Sequence, residues 1–520
     1  MARKDRQRMN RRRFLKVATS GAATLALAPT LLAEESKSSS RPNILFLMAD
    51  QLRFDCLGCM GNPAIHTPNL DAIAREGVVF TNAYSSTPTC TPARAGLLTG
   101  LSPWHHGMLG YGRVARHYRT ELPRLVREAG YYTFGIGKMH WYPQRSLHGF
   151  HGTLLDESGR VETPGFISDY HRWFMRVAPG KDPDATGLGW NDYRAWPYVL
   201  PEHLHPTHWI GQNAVDFLRK YDRPEPFLLK VSFERPHSPY DPPPRFWDMY
   251  SDADMPAPHV GQWAARFAPH KTPPNPSLWH GDLGVDQAKR SRHGYYANVT
   301  FLDEEIGRIL QVLKERGWYD NTLIIFFADH GDMLGDHNLW RKSYAYEGSA
   351  HIPMLLRWPR SFGHDDRRGQ RIAEPVELRD VLPTFLDAAG ASVPGAIDGR
   401  SLLDLVRGNN AGWRDAIDLE HDVCYSVENH WNALTDGEWK YIFHAYDGHE
   451  QLFHLAEDPA ELHDLAGDPA YQRVLRQWRD RMVEHLSERG EPFVKDGKLL
   501  PRPQSMLYSP HYPGHNKRVS

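Results

Sequence analysis

Thr87-Pro88-Thr89-Cys90-Thr91-Pro92-Ala93-Arg94-Ala95-Gly96-Leu97-Leu98-Thr99-Gly100 sets a cysteine just ahead of a proline and an arginine, then runs on in small and apolar residues. Proline has a fixed φ and no N–H to satisfy, so Pro92 suits the first turn of a helix. Cys90 then sits at a helix N-terminus, where unpaired N–H groups and the helix dipole favour developing negative charge. Arg94 adds a permanent cation one turn on. The stretch reads as a site for an anion with a nucleophile already inside it. A buried structural cysteine before a proline-started helix has the same local pattern, so the rest of the chain decides between them.

Working outward, short apolar runs alternate with helical stretches, as in βαβ units around a sheet. Asn43–Met48, Tyr131–Ile136, Phe227–Phe233 and Leu323–Phe327 read as strands. Leu70–Gly77 (with Asn69 as cap), Glu121–Ala129, Ile306–Gly317 and Val381–Ala389 read as helices. Each of the four runs is followed by candidate ligands or charges: Asp50 and Gln51, then Lys138 and His140, then His237, then Asp329 and His330, with Lys342 a little beyond. Ligands of open α/β sheets bind at the carboxyl ends of the strands. Singly, Asp50 reads as a turn cap, the lysines as surface charges and the histidines as loop residues. Jointly, those readings require several coincidences beside one cysteine.

The spacing Cys90-x-Pro92-x-Arg94 followed by Leu97-Leu98-Thr99-Gly100 resembles the signature of the type I sulfatases, and the resemblance runs from about Arg41 to the C-terminal hairpin. It implies an alkaline-phosphatase-like α/β fold: a large mixed sheet flanked by helices, with a smaller C-terminal antiparallel sheet plus helix. It also implies that Cys90 is oxidised after translation to formylglycine, whose hydrate attacks the sulfur of a sulfate ester. By the same resemblance Asp50, Gln51, Asp329 and His330, with residue 90, hold a metal. Oxygen ligands suit calcium, and His330 keeps magnesium or manganese open. Gln51 stands where a second aspartate is commoner. Arg94 and Lys138 would hold residue 90 and its oxyanion, and His140 would take the proton that lets the sulfated hemiacetal collapse. His237 and Lys342 would grip the sulfate. Asp329-His330-Gly331-Asp332-Met333-Leu334-Gly335-Asp336-His337 looks most like the branch of choline sulfatases and phosphonate monoester hydrolases.

The ends of the chain carry other signals. Asn10-Arg11-Arg12-Arg13-Phe14-Leu15-Lys16 looks like a twin-arginine export signal, followed by an apolar run to Leu32 that is too short and too broken to span a membrane stably. The expected layout is a signal peptide over 1–33, a linker over 34–40, a catalytic domain over 41–408 and a smaller C-terminal subdomain over 409–520. Residues 1–33 hold eight of the 61 basic and one of the 63 acidic side chains, so the remainder carries a net charge of −9. Bulk charge of that sign gives no attraction to nucleic acid. Four cysteines in 520 residues make no disulfide framework, and Cys56-x-x-Cys59 is expected to be structural or a local disulfide.

The expected function is a sulfuric ester hydrolase, periplasmic or secreted, acting on a sulfated carbohydrate. Its expected partners are a formylglycine-generating enzyme and the twin-arginine translocase. The alternatives are an aryl- or choline-sulfatase, or a phosphonate or phosphate ester hydrolase using the same site. A binding protein for sulfated glycans, the non-enzymatic alternative, would not need Cys90. The sugar preference rests on tryptophans in two long irregular regions, about 141–210 and 235–290, and elsewhere, among them Trp104, Trp141, Trp190, Trp209 and Trp340. Arg53, Trp141, His105, His106 and His421 are expected to line the pocket around the sulfate.

Overall fold

The computed structural model describes residues 41–515, apart from Asp252, Ala396 and Cys424. The expected signal peptide and linker lie outside the described residues. The eight strands of the main sheet are β1 Asn43–Asp50, β2 Val78–Phe80, β3 Tyr132–Gly137, β4 Gly152–Leu155, β5 Phe227–Pro236, β6 Thr322–Ala328, β7 Met354–Arg357 and β8 Gln370–Ile372. Their spatial order is β4-β3-β5-β1-β6-β7-β2-β8. The run from β4 to β6 is parallel, β7 is antiparallel to both its neighbours, and β8 runs parallel to β2. The sheet is therefore large and mixed, as expected.

Strand β1 lies between β5 and β6, and its residues from Ile44 to Asp50 are all buried. That is why it reads as an unbroken apolar run: a central parallel strand is covered on both faces and has no polar alternation to display. Helices form those covers. They include α1 Pro68–Glu76, α2 Cys90–Thr99, α3 Pro206–Lys220, α4 Val285–Glu315 and α5 Val381–Ala388.

Three helices depart from the sequence reading. The helix expected from Ile306 begins at Val285 and runs for 31 residues. Its first half carries Tyr295, Tyr296, Asn298 and Thr300, all buried but poor advertisements for a helix by propensity. Helix α3 also lies where no element was expected. Helix α1 starts at Pro68 with Thr67 at the cap position, while the Asn69 side chain donates to Asp303 at 2.9 Å instead of capping.

The C-terminal part builds a four-stranded antiparallel meander, β9 Ile417–His421, β10 Trp431–Thr435, β11 Trp439–His444 and β12 His449–His454, with a turn at Asp436-Gly437 between β10 and β11. Gly437 has φ of 90°, the left-handed geometry such a tight turn asks of a glycine. One face of the meander shares an apolar cluster with helix α6, Gln472–Leu486. The other packs on Met333, Leu339, Tyr344 and Tyr346, from the segment that follows β6. Cys56 and Cys59 form no disulfide, so of the two expectations only the structural role stands. Burial, with Asp71 beside it, pushes the Cys59 thiol up to about 12.

Candidate active site

Four parallel strands end side by side, and their tips form the floor and walls of one pocket. Asp50 is the last residue of β1. Strand β3 ends at Gly137, whose φ is 91° and where a Cβ would lie 2.0 Å from the Ser232 carbonyl oxygen. Only glycine lets the chain turn there, and the turn delivers Lys138 and then His140. His237 follows β5 directly, and its N–H donates to the Asp50 carbonyl at 3.1 Å. Asp329 and His330 follow β6. Gly331 comes next, where a Cβ would meet the Gly348 carbonyl oxygen at 2.1 Å. Helix α2 starts at Cys90 with Thr89 at its cap, so Cys90 stands in the first turn as expected.

Arg94 ties these tips together. Its Nε donates to Asp329 Oδ2 at 2.9 Å and its Nη2 to Asp50 Oδ2 at 3.0 Å. Its Nη1 reaches the Lys138 carbonyl oxygen at 2.6 Å and Ser232 Oγ at 3.2 Å. A guanidinium fork serves several acceptors at fixed geometry, which a lysine does not. Lys138 Nζ lies 2.7 Å from Asp50 Oδ2. Burial opposes ionisation of Asp50, but Lys138, then His237, Arg94 and His330 outweigh it and hold the carboxyl well below its usual range.

Each carboxylate thus gives Oδ2 to the cations and turns Oδ1 toward the centre, where Asp329 Oδ1 also accepts from the Gln51 and His330 N–H groups, each at 3.1 Å. His330 Nδ1 bonds to the Gly331 carbonyl oxygen at 2.9 Å, which turns Nε2 inward. That Nε2 lies 3.2 Å from Cys90 Sγ, 3.8 Å from Asp50 Oδ1 and 3.7 Å from Asp329 Oδ1. Ligand atoms of Asp50, Cys90, Asp329 and His330 all fall within 4.8 Å of one another, and all four residues are buried. Two converging carboxylate oxygens, an imidazole nitrogen and the side chain at 90 fit a divalent cation. Gln51, expected as a further ligand, accepts from Lys342 Nζ at 2.6 Å through Oε1, which has a second lone pair, and donates through Nε2 to Asp332.

Above this floor lies a pocket of about 300 Å³ whose lining includes Cys90, Tyr111, His140, Trp190, Lys342 and Tyr425. Lys342 Nζ also donates to His237 Nε2 at 2.7 Å, and Trp190 stacks on the His237 ring at 3.9 Å with Lys138 Nζ 4.3 Å above the indole. Burial, then the Lys342 and Lys138 charges, hold His237 well below its ordinary range. Burial, then Arg160, Lys138 and Arg94, do the same to His140. Its Nδ1 is buried without a hydrogen-bond partner, while the Met139 and His140 N–H groups are fixed by Glu157 at 3.0 and 2.9 Å. At Cys90, burial and Asp50 push the thiol up, but Lys342, His330 and Lys138 prevail and lower it. The site can therefore hold a cation at its floor, an oxyanion beside two lysines, and a neutral imidazole ready for a proton.

Of the residues expected around this centre, His421 comes close: its Nε2 lies 2.7 Å from Thr89 Oγ1, next to Cys90, and burial lowers it to about 3. Arg53, Trp141 and His105 do not line the pocket. Arg53 spends its guanidinium on Asp55 and Asp336 at 2.8 and 2.7 Å and on the carbonyls of Asp332 and Met333. Trp141 packs in the core against Phe150 and His148. His105 pairs with Asp398 at 2.8 Å, and His106 is buried behind it. Of the five tryptophans singled out, Trp190 reaches the pocket. The sequence reading missed Tyr111, Asn191, Ser343 and Tyr425 on its wall. Ser343 could have been found as the neighbour of Lys342, whereas Tyr111, Asn191 and Tyr425 sit on loops with no local signal.

Comparison with known proteins agrees with this geometry. Residues 42–391 match the family model described as Sulfatase, and residues 335–488 the one described as N-sulphoglucosamine sulphohydrolase, C-terminal. An arylsulfatase of Clostridium perfringens is 39% identical over 473 residues, 88% of this chain and 97% of that protein. A choline-sulfatase of Rhizobium meliloti is 32% identical over 441 residues, 81% of this chain and 82% of that one. The crystal structure of the phosphonate monoester hydrolase of Agrobacterium radiobacter superposes with a TM-score of 0.73 at 26% identity, covering 89% of this chain and all of that one.

Proposed function

Because this chain belongs to the sulfatase family, we propose that it removes sulfate from a sulfated carbohydrate, using a formylglycine made from Cys90 and a divalent metal. The observation that carries the reading is the convergence of Asp50, Asp329, His330 and Cys90 under a pocket lined by His140 and Lys342, with Lys138 and His237 buried against Trp190 beside it. In place there, formylglycine supplies a hydrated aldehyde as nucleophile and the cation a fixed charge for the sulfate oxygens.

The chain's own residues do the rest. Arg94 and Lys138 fix the two carboxylates and balance their charge. Lys138 and Lys342 face the oxyanion, and preorganised cations in a buried site stabilise charge that spreads in the transition state. His140 receives a proton at its unpartnered Nδ1. His237 and Lys342 share a hydrogen bond, so a proton stands available to the departing alcohol oxygen. The metal is calcium in this reading, and magnesium or manganese would also fit because His330 mixes nitrogen into an oxygen set.

Two features support a sugar. The C-terminal region matches a model named for enzymes of a sulfated amino sugar, and Tyr111, Trp190 and Tyr425 offer aromatic planes for a pyranose. Residues 41–408 are taken as the catalytic domain and 409–520 as a smaller subdomain. The chain is taken to leave the cytoplasm by the twin-arginine route after modification by a formylglycine-generating enzyme. No described helix is long and apolar enough to cross a membrane.

The likeness to a phosphonate monoester hydrolase supports a second reading, hydrolysis of a phosphonate or phosphate ester by the same clamp. Aryl and choline sulfates are further candidate substrates of the first. One assay separates the ester classes: kcat/KM on 4-nitrophenyl sulfate, 4-nitrophenyl phosphate and a 4-nitrophenyl phosphonate, for the wild type and Cys90→Ala. The first reading expects the sulfate to be preferred and its turnover to vanish in the variant. A preference for the phosphonate establishes the second reading in its place.

A further inference from the structure

A second cavity, about 510 Å³, opens beside the reaction pocket, between the segment 266–280 and the loops of the C-terminal sheet. Its volume falls in the range of small-molecule sites, about 300–1,000 Å³. Its aromatic lining includes Trp279 and Tyr446, and its polar lining Arg266, Glu428, Asn429 and Asp447.

The two cavities share a wall. Tyr425 lines the pocket of Cys90, and its ring lies parallel to that of Trp279, 12° between planes and 5.9 Å between centroids. The Arg341 guanidinium sits 4.3 Å from the Tyr425 ring centre. The Trp279 carbonyl accepts from the Trp340 N–H at 2.9 Å and from the Tyr344 hydroxyl at 3.0 Å. The short segment that presents Lys342 to the reaction therefore also fixes Trp279 in the neighbouring cavity.

The lining selects a chemical class. An indole face packs on the C–H face of a pyranose, while carboxylates, an amide and a guanidinium hydrogen-bond its hydroxyl groups. The charge balance selects further: beside His280 and His444, the latter lowered to about 4 by burial, two carboxylates stand against one arginine and disfavour a second sulfate at this place.

We propose that this cavity is a subsite for an unsulfated sugar residue adjoining the sulfated one, so that the substrate is an oligosaccharide rather than a monosaccharide. The proposal rests on the sulfated-carbohydrate reading above and deepens it. It makes Trp279 and Asn429 substrate-binding residues and makes Glu428 and Asp447 a filter against sulfate at the neighbouring position.

The test uses full-length Cys90→Ala protein, which cannot turn substrate over, on an array of neutral and sulfated oligosaccharides and their monosaccharide counterparts. We expect binding of sulfated oligosaccharides with an unsulfated neighbour at least tenfold tighter than of the matching monosaccharide. Trp279→Ala added to Cys90→Ala removes that advantage, Trp279→Phe keeps part of it, and Glu428→Gln with Asp447→Asn admits glycans sulfated at the neighbour. Thermal melts verify that each variant is folded. Equal affinity for monosaccharide and oligosaccharide, an advantage that survives Trp279→Ala, or no glycan binding at all overturns the subsite. Turnover of 4-nitrophenyl sulfate by the wild type is read alongside. Turnover without glycan binding sinks the subsite and leaves a sulfatase of another substrate, whereas failure on every sulfate ester sinks the sulfatase reading itself.

Discussion

At the residue scale, the chemistry depends on keeping a few groups in states that water would not give them. Burial comes first for His140, and the charges of Arg160, Lys138 and Arg94 add to it, so the imidazole stays neutral. A group whose pKa is depressed by the fold keeps its base form to lower pH. The acid limb of kcat should therefore lie below the usual imidazole value of about 6.5. Arg160→Gln removes one of the depressing charges and should move that limb to higher pH. His140→Ala should cost about 10²–10⁴ in kcat, the usual range for a general acid or base. A limb that stays put in Arg160→Gln, or near-wild-type turnover in His140→Ala, would take the proton transfer away from this residue. The core of the site was legible because its members are strand tips: Asp50, Lys138, His237 and Asp329 each follow an apolar run that the buried centre of a parallel sheet imposes. Arg53 misled because nothing local distinguishes an arginine aimed at a pocket from one that Asp55 and Asp336 consume.

At the scale of elements, the pocket wall is held by a partner from the far end of the chain. The segment 107–113 carries Tyr111, whose hydroxyl lies 3.5 Å from His140 Nε2. Residues 507–512 clamp it: the Leu109 N–H donates to the Leu507 carbonyl at 3.0 Å, the Ser509 N–H to the Gly107 carbonyl at 2.9 Å, and the Tyr512 hydroxyl to the Arg113 carbonyl at 2.8 Å. At Gly107 a Cβ would come within 2.3 Å of the Tyr512 backbone, so the two segments lie flush. Deleting residues 504–520 should leave the main sheet folded while amide exchange across 107–113 rises at least tenfold, since each lost bond is worth about 0.5–1.5 kcal/mol. Turnover of 4-nitrophenyl sulfate should fall with it. Unchanged exchange at Leu109 would show that the tail is not what holds the segment. No sequence pattern announces such a strap, because its pairing spans some 400 positions and uses backbone groups that every residue carries. The first half of helix α4 escaped for a different reason: tertiary burial of Tyr295 and Tyr296 overrides the weak helical preference of that half.

At the scale of the whole molecule, the reacting groups come from the ends of β1, β3, β5 and β6 and the start of α2, while much of the wall that meets the rest of the substrate comes from loops. Four parallel strands of the sheet were readable as apolar runs, whereas its mixed character and the C-terminal antiparallel sheet came from the family resemblance, because the short strands β2, β4, β7 and β8 carry little periodicity of their own. The pocket wall was not readable, because Tyr111 and Tyr425, more than 300 positions apart, line one pocket. Ligand linkage ties the site back to stability. An ion that binds only the folded chain stabilises it by about 2.7 kcal/mol at 100 times its Kd, so chelation should lower Tm as well as activity, and calcium should restore both. Asp329→Ala should purify with less bound metal, and unchanged metal content would remove Asp329 from the ligand set. The account turns, however, on the chemical state of residue 90. The most direct measurement is mass spectrometry of the tryptic peptide 76–94 from the active protein, paired with turnover of 4-nitrophenyl sulfate. The account predicts formylglycine at position 90 in proportion to activity, and no turnover from Cys90→Ala. Full activity from protein whose position 90 is unmodified cysteine would contradict it.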